Sequence, residues 1–158
     1  MLTLITVGKL KEKFYLSAAA EYEKRLKAYG GIRIMELPEV RLPESPSCAQ
    51  ISQALRKEAE TVRQKLPKNA WLCVLTPEGK LLSSEALAHT LQSVRNQGRS
   101  ELVFLIGSSF GLDEDLKKQG DLLLSMSPMT FPHHLARIMV LEQLYRAESI
   151  LAGTKYHK

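Results

Sequence analysis

Five short apolar runs, Leu2–Val7, Ile32–Leu37, Ala70–Leu75, Glu101–Ile106 and Leu122–Met126, are separated by longer segments with helical periodicity. This alternation constrains the fold more than any other feature. Strands rich in Leu, Val and Ile with helices between them suit a mainly parallel sheet whose two faces are both covered. The 158 residues, 44% hydrophobic and 25% charged, are enough for one α/β domain over residues 1–158 with a sizeable core. In sheets of this kind ligands bind beyond the carboxyl ends of the strands.

Local signals place the helices. Phe14–Tyr29 is expected to be helical and to stop at Gly30-Gly31. Three prolines make Pro38–Pro46 an irregular connection, after which Ser47 caps a polar helix that runs to Leu66 and ends at Pro67. Thr76–Lys80 is expected to be a turn, and Ser83-Ser84-Glu85 opens a helix towards Asn96 and Gly98. Asp113 caps a short helix that stops by Gly120, and the last helix follows Pro132 to about Leu151.

Several function classes lack their signals. The longest apolar run, Ala70–Leu75, is too short to span a bilayer, and Met1 leads into a strand rather than a signal peptide, so a cytoplasmic protein is expected. Cys48 and Cys73 form no Cys-x-x-Cys pair and no Cys/His cluster, which argues against zinc and against a disulfide framework; no metal is expected. Cys73 reads as a buried small hydrophobe. The glycine-bearing loop Gly107–Leu112 carries neither a P-loop lysine nor a Gly-x-Gly-x-x-Gly fingerprint, and Ser108-Ser109 is not a hydrolase elbow. The adjacent His133-His134 lacks the i, i+4 spacing of helical metal ligands.

The net charge of +5 is unevenly placed, with seven Lys/Arg against three Glu in residues 1–35 and four against two in residues 133–158. Basic ends on a balanced chain suit a polyanionic partner, although lysine-rich helices also serve simply as solvated faces. In the last helix only Glu142, Arg146 and Ser149 form a narrow polar strip, and apolar residues surround the rest. Such a helix either lies over a single core or is buried twice, against its own sheet and against a second copy in a twofold interface. Arg137 falls on the apolar side, where a guanidinium needs a partner: a phosphate or substrate group on one reading, a buried ion pair on the other.

Three loops follow strand ends: Leu75–Lys80, Gly107–Leu112 and Met126–Pro132. In a parallel sheet they converge on one edge. Gly107 and Gly111 permit close backbone approach, while Pro128, Met129 and Phe131 offer stiff or apolar surface suited to an adenine ring. The tail Lys155-Tyr156-His157-Lys158 is basic and aromatic, with His157 able to titrate near neutrality, unless it is merely a disordered end.

Taken together, Val7-Gly8-Lys9, Glu21-Tyr22, Gly107-x-x-x-Gly-Leu112, Leu124-Ser125, Met129-Thr-Phe-Pro-His133, Arg137, Glu142-Gln-x-Tyr-Arg-Ala147 and Tyr156-His157 resemble the RlmH family of the SPOUT superfamily along essentially the whole chain. One departure is Ser108, where the family usually has a second glycine. The resemblance implies a SPOUT fold with a C-terminal trefoil knot, a homodimer, and S-adenosylmethionine bound in the knot loops. The implied cofactor contacts are Leu75, Gly107, Met126, Ser127, Pro128, Met129, Thr130 and Phe131. The implied reaction is methyl transfer to N3 of a pseudouridine in the helix 69 loop of 23S rRNA, on the assembled ribosome and without a metal. His157 is the first candidate for the base that removes the N3 proton, and Arg137, Tyr156 and Lys158 are assigned to substrate orientation or phosphate contact. Two alternatives stand beside this one: a noncatalytic ribosome-binding factor, and a SPOUT methyltransferase acting on another RNA.

Overall fold

The computed structural model describes all residues, 1–158. Every strand pair is parallel, because each strand is followed by a helix that returns the chain to the start of the next. The elements are β1 (Leu2–Val7), α1 (Lys13–Leu26) with a 3₁₀ turn at Lys27–Tyr29, β2 (Ile32–Leu37), α2 (Cys48–Lys65), β3 (Trp71–Leu81), α3 (Ser84–Asn96), β4 (Leu102–Ile106), α4 (Glu114–Lys117), β5 (Leu122–Ser125) and α5 (His133–Leu151). The sheet order is β2-β1-β4-β3-β5, which sets β1, β4 and β3 at the centre.

The central strands are apolar on both sides, and their period-2 alternation divides the residues between two cores. Leu2, Leu4, Trp71, Cys73, Leu102 and Phe104 face α1, α3 and α5. Ile5, Val7, Leu72, Val74, Val103 and Leu105 face the other way, where Ala59 and Val62 of α2 and Leu116 of α4 meet them. Cys73 is fully buried, and burial pushes its thiol pKa far up, as expected of an inert small hydrophobe. Helix starts fall where the caps put them. The Ser47 side chain accepts from Gln50 N–H while Gln50 reaches back to Ser47 N–H, a capping box, and Ser83 and Asp113 each accept from a backbone N–H three residues on.

One expectation needs correction. Thr76–Lys80 is not a turn, because β3 continues to Leu81. Its ladder with β5 slips there: Leu75 and Lys80 both pair with Leu124, so the intervening residues bulge and Pro77 needs no ladder partner. Gly79 is required for that approach, since a Cβ would lie 2.6 Å from the backbone of Leu124. In α5 the polar strip is partly enclosed. Ser149 is fully buried, with its hydroxyl 3.3 Å from that of Tyr29, because the 3₁₀ turn closes over the C-terminal half of α5.

Candidate active site

All the strands point the same way, so the segments after β1, β4, β5 and the outer half of β3 gather at one edge of the sheet. Three of them enclose a cavity of about 760 Å³, within the range of small-ligand sites. Leu75, Thr76, Pro77 and Glu78 form one wall, Gly107–Leu112 a second, and Met126, Ser127, Met129, Thr130, Phe131, Pro132 and His133 a third. Seven of the eight residues expected to hold a cofactor therefore meet there, and Pro128 does not line the cavity.

The glycine loop is held in shape from outside. Its Ser108 and Gly111 form an isolated bridge, and Gly111 takes a positive φ of 90°. A side chain at Gly107 would collide with the Gly111 carbonyl, so the backbone closes on itself at that point. Ser108, in place of the second glycine, turns its hydroxyl away from solvent and donates to the buried carboxylate of Glu58 at 2.9 Å. Ser109 donates to Glu39 at 2.8 Å. Burial raises the pKa of Glu58, and the nearby Glu39 adds to that, against hydrogen bonds from Val40 N–H and Ser108. The sequence reading passed over Glu58. A signal existed: with Ala54, Ala59 and Val62 it lies on the buried stripe of α2, a place where a carboxylate needs a partner.

At the mouth, Lys117 bonds Glu78 at 2.7 Å and Glu114 at 2.9 Å, and the Lys117 contact holds the Glu78 carboxyl down at about 2. His133 has a lowered pKa, first from burial and then from His134 beside it, so it faces the cavity as a neutral ring at pH 7. The buried Thr76 hydroxyl beside Glu78 adds to the lowering of its carboxyl.

Arg137 does not reach this space. Its side chain is 3% exposed and bonds the Glu36 carboxylate at 2.6 Å, Thr6 Oγ1 at 2.6 Å and the Gly8 carbonyl at 2.8 Å. Burial works against ionisation of Glu36, but the guanidinium and the Leu10 N–H outweigh it and keep the carboxyl below its ordinary value. Of the two readings of Arg137, this geometry supports the buried ion pair, and the arginine fixes the turn after β1 to α5 rather than facing a substrate.

The C-terminal tail is ordered on the other side of α5. Glu142 accepts from Arg146 and from Tyr156 Oη at 3.1 Å, and Arg146 lies 4.8 Å above the Tyr156 ring. Burial and the Glu142 carboxylate push the Tyr156 phenol up to about 12. His157 Nε2 is 2.7 Å from Glu85, with Nδ1 3.3 Å from Arg146; the Glu85 carboxyl is held at about 2, chiefly by its own backbone N–H and then by His157. Lys158 is exposed. None of Tyr156, His157 and Lys158 lines the cavity of its own chain. Beside them Ile138, Met139, Leu82 and Leu87 surround a second, mainly apolar pocket of about 450 Å³.

A family profile described as "Predicted SPOUT methyltransferase" matches residues 1–157. The chain belongs to the SPOUT methyltransferase family. Membership makes it a methyltransferase that depends on S-adenosylmethionine. Among solved structures, it is similar to a probable methylase family protein from Haemophilus influenzae Rd KW20, with a TM-score of 0.54 and 13% identity over 99% of this chain and 70% of that one. That likeness concerns the fold. No helix is long and apolar enough to cross a membrane, and no group of three or more His, Cys, Asp or Glu is placed to hold a metal ion.

The residues of the cavity suit the methyl donor of a SPOUT methyltransferase. Leu75, Met126, Met129 and Phe131 line it with apolar surface of the kind an adenine ring needs, and at Gly107, where a Cβ would strike the Gly111 carbonyl, only bare backbone fits.

Proposed function

We propose that the enzyme methylates N3 of a pseudouridine in the helix 69 loop of 23S rRNA, on the assembled ribosome, as in the RlmH family. The observation that carries this reading is how the residues of that resemblance assemble. Residues scattered from Gly107 to His133 meet at one cavity, while Tyr22, Glu142, Tyr145, Arg146, Tyr156 and His157 form one linked cluster beside it. Leu124, Ser125 and Met126 line both the cavity and the neighbouring pocket, so the two groups share a wall.

Leu75, Gly107, Met126, Ser127, Met129, Thr130 and Phe131 would hold S-adenosylmethionine, which when bound would supply a methyl group on an activated sulfonium leaving group. The protein's own task is to place N3 in line with that methyl and to take the N3 proton. General-base assistance is typically worth about 10²–10⁴-fold. His157 is the base in this reading, oriented by Glu85, with Tyr156 and Lys158 on the RNA. Because the tail does not line its own chain's cavity, the reading includes a homodimer in which a second copy covers the outer side of α5 and brings cavity and tail together. The half-open apolar pocket by Met139 supports that interface. A trefoil knot belongs to the same reading. Its support is β5 at the sheet edge beside β3 and the return of α5 to pack between α1 and α3.

Methyl transfer assayed on intact ribosomes, separated subunits and tRNA, with mass mapping of the product, tests the reading. One methyl on the helix 69 pseudouridine of intact ribosomes is the expected result. Methylation of tRNA instead would replace the target, and ribosome binding without any S-adenosylmethionine binding would replace catalysis by a docking role.

A further inference from the structure

The turn that follows β1 does not line the cavity, but it packs behind His133, which does. A Cβ on Gly8 would lie 3.8 Å from Nε2 of His133, and His133 lines the cavity, so this turn borders the mouth. From there the chain runs Lys9-Leu10-Lys11-Glu12-Lys13-Phe14. Leu10 is buried and anchors the segment, while Lys9, Lys11 and Lys13 are exposed. At about 3.8 Å per residue the three Cα atoms fall within about 15 Å of one another, within reach of neighbouring phosphates.

None of these lysines is in an ion pair, although Lys9 and Lys11 lie near enough to Glu36 and Glu12 to help lower those carboxyls. Arg25, Arg63, Arg95, Lys117, Lys118, Arg137 and Arg146 all bond carboxylates, whereas Lys9, Lys11 and Lys13 take part in none of the chain's ion pairs. The one acidic residue among them, Glu12, faces His134 at 3.7 Å. Phe14 beside them is 66% exposed, its ring 4.3 Å from that of Tyr15. Tyr15 meets His134 edge-on at 6.0 Å and His134 meets His133 at 4.1 Å, so rings lead from the exposed Phe14 back to the cavity.

An exposed ring among unpaired ammonium groups does not suit an apolar protein face. It does suit an unpaired stretch of RNA, whose phosphates take the charges and whose splayed bases stack on aromatic rings. We propose that Lys9, Lys11, Lys13 and Phe14 form an RNA-docking ledge at the cavity mouth, with the lysines on phosphates and Phe14 stacked on a base of the loop that carries the target. The inference rests on the reading of RNA as substrate and adds the surface that holds it.

The test uses the full-length enzyme. In K9A/K11A/K13A, calorimetry should show unchanged S-adenosylmethionine affinity and Tm should hold, while 70S ribosome binding falls at least tenfold. The slope of log affinity against log salt should drop by about two to three, one increment per lost phosphate contact. F14A should weaken ribosome binding by about tenfold, and F14W should restore it while F14L should not, because only a ring stacks. A salt slope unchanged in the triple variant would overturn the ledge. So would loss of self-association in F14A by sedimentation, which would make Phe14 a contact between copies. Lysine-dependent binding of a single-stranded RNA oligonucleotide by an enzyme that leaves ribosomes unmethylated would overturn the ribosomal target and leave the ledge standing.

Discussion

Arg137 and Glu58 are both charged residues placed against the sheet, and their environments push stability in opposite directions with pH. Arg137 spends its hydrogen bonds on Glu36, Thr6 and Gly8, so truncation strands buried acceptors. Arg137→Met is expected to cost about 3 kcal/mol in denaturant unfolding, and Arg137→Lys to recover only part of it, since an ammonium cannot span the same fork. If the arginine served RNA instead, the variant would keep its stability and lose ribosome binding. Glu36 has a lowered pKa, so its contribution is present above the ordinary carboxylate value and fades as pH falls through the folded value. Glu58 is the reverse case. Its pKa is raised by burial, so the folded state binds the proton more tightly than the unfolded chain. The contribution is therefore complete below the unfolded carboxylate pKa and is lost as pH rises through the folded one. Glu58→Gln keeps an oxygen for Val40 N–H and an amide for Ser108 without the buried charge. Its stability relative to the parent, read from Tm, should rise as pH is raised from below the ordinary carboxylate range to above it. A difference that stays flat across that range would mean Glu58 titrates normally.

At the scale of elements, the decisive piece is the loop after β4. Its backbone doubles back at Gly107, where a side chain would strike the Gly111 carbonyl and lie 2.7 Å from Leu112 Cγ. Gly107→Ala should open that turn, lowering S-adenosylmethionine affinity at least tenfold by calorimetry with a modest fall in Tm. A variant that binds as the parent does would show that the loop's shape is not what recognises the cofactor. The glycines of this loop were legible in the sequence, as were all five strands, the caps at Ser47, Ser83 and Asp113, and the convergence of strand-end loops. Those signals are local: a hydroxyl three residues before a free N–H, an apolar run of strand length. What was not legible depends on partners distant in sequence. Thr76-Pro77-Glu78-Gly79 has the composition of a turn, and only β5 alongside makes it a bulged strand. Ser149 looks polar along the helix and is buried because Tyr29 closes over it. Ser108 as the family's missing glycine signalled a loss, yet Glu58, 50 residues earlier, makes it an anchor.

The whole molecule keeps the cavity and the C-terminal tail apart within one chain. Its cavity opens at the carboxyl edge of the sheet, while Tyr156 and His157 are fastened to Glu142 and Glu85 across a shared wall. Between them the outer side of α5 offers Ile138 and Met139, half-buried, over the apolar pocket. In the proposed dimer this surface is covered by a second copy, and on that proposal catalysis requires the cover, because the proposed base lies in the tail and the methyl donor in the cavity. Met139→Glu sets a new carboxylate one helical turn from Glu142, so a partner would have to bury two like charges there. The cavity does not include Met139, which separates association from cofactor binding. The variant should sediment as a monomer, keep S-adenosylmethionine affinity within about twofold, and lose methylation of ribosomes by 100-fold or more, with the loss partly reversed at high protein concentration. A stable monomer with full activity would break the link between dimer and chemistry, and the base would then have to be sought among residues of the same chain that face the cavity, where His133 is the histidine present.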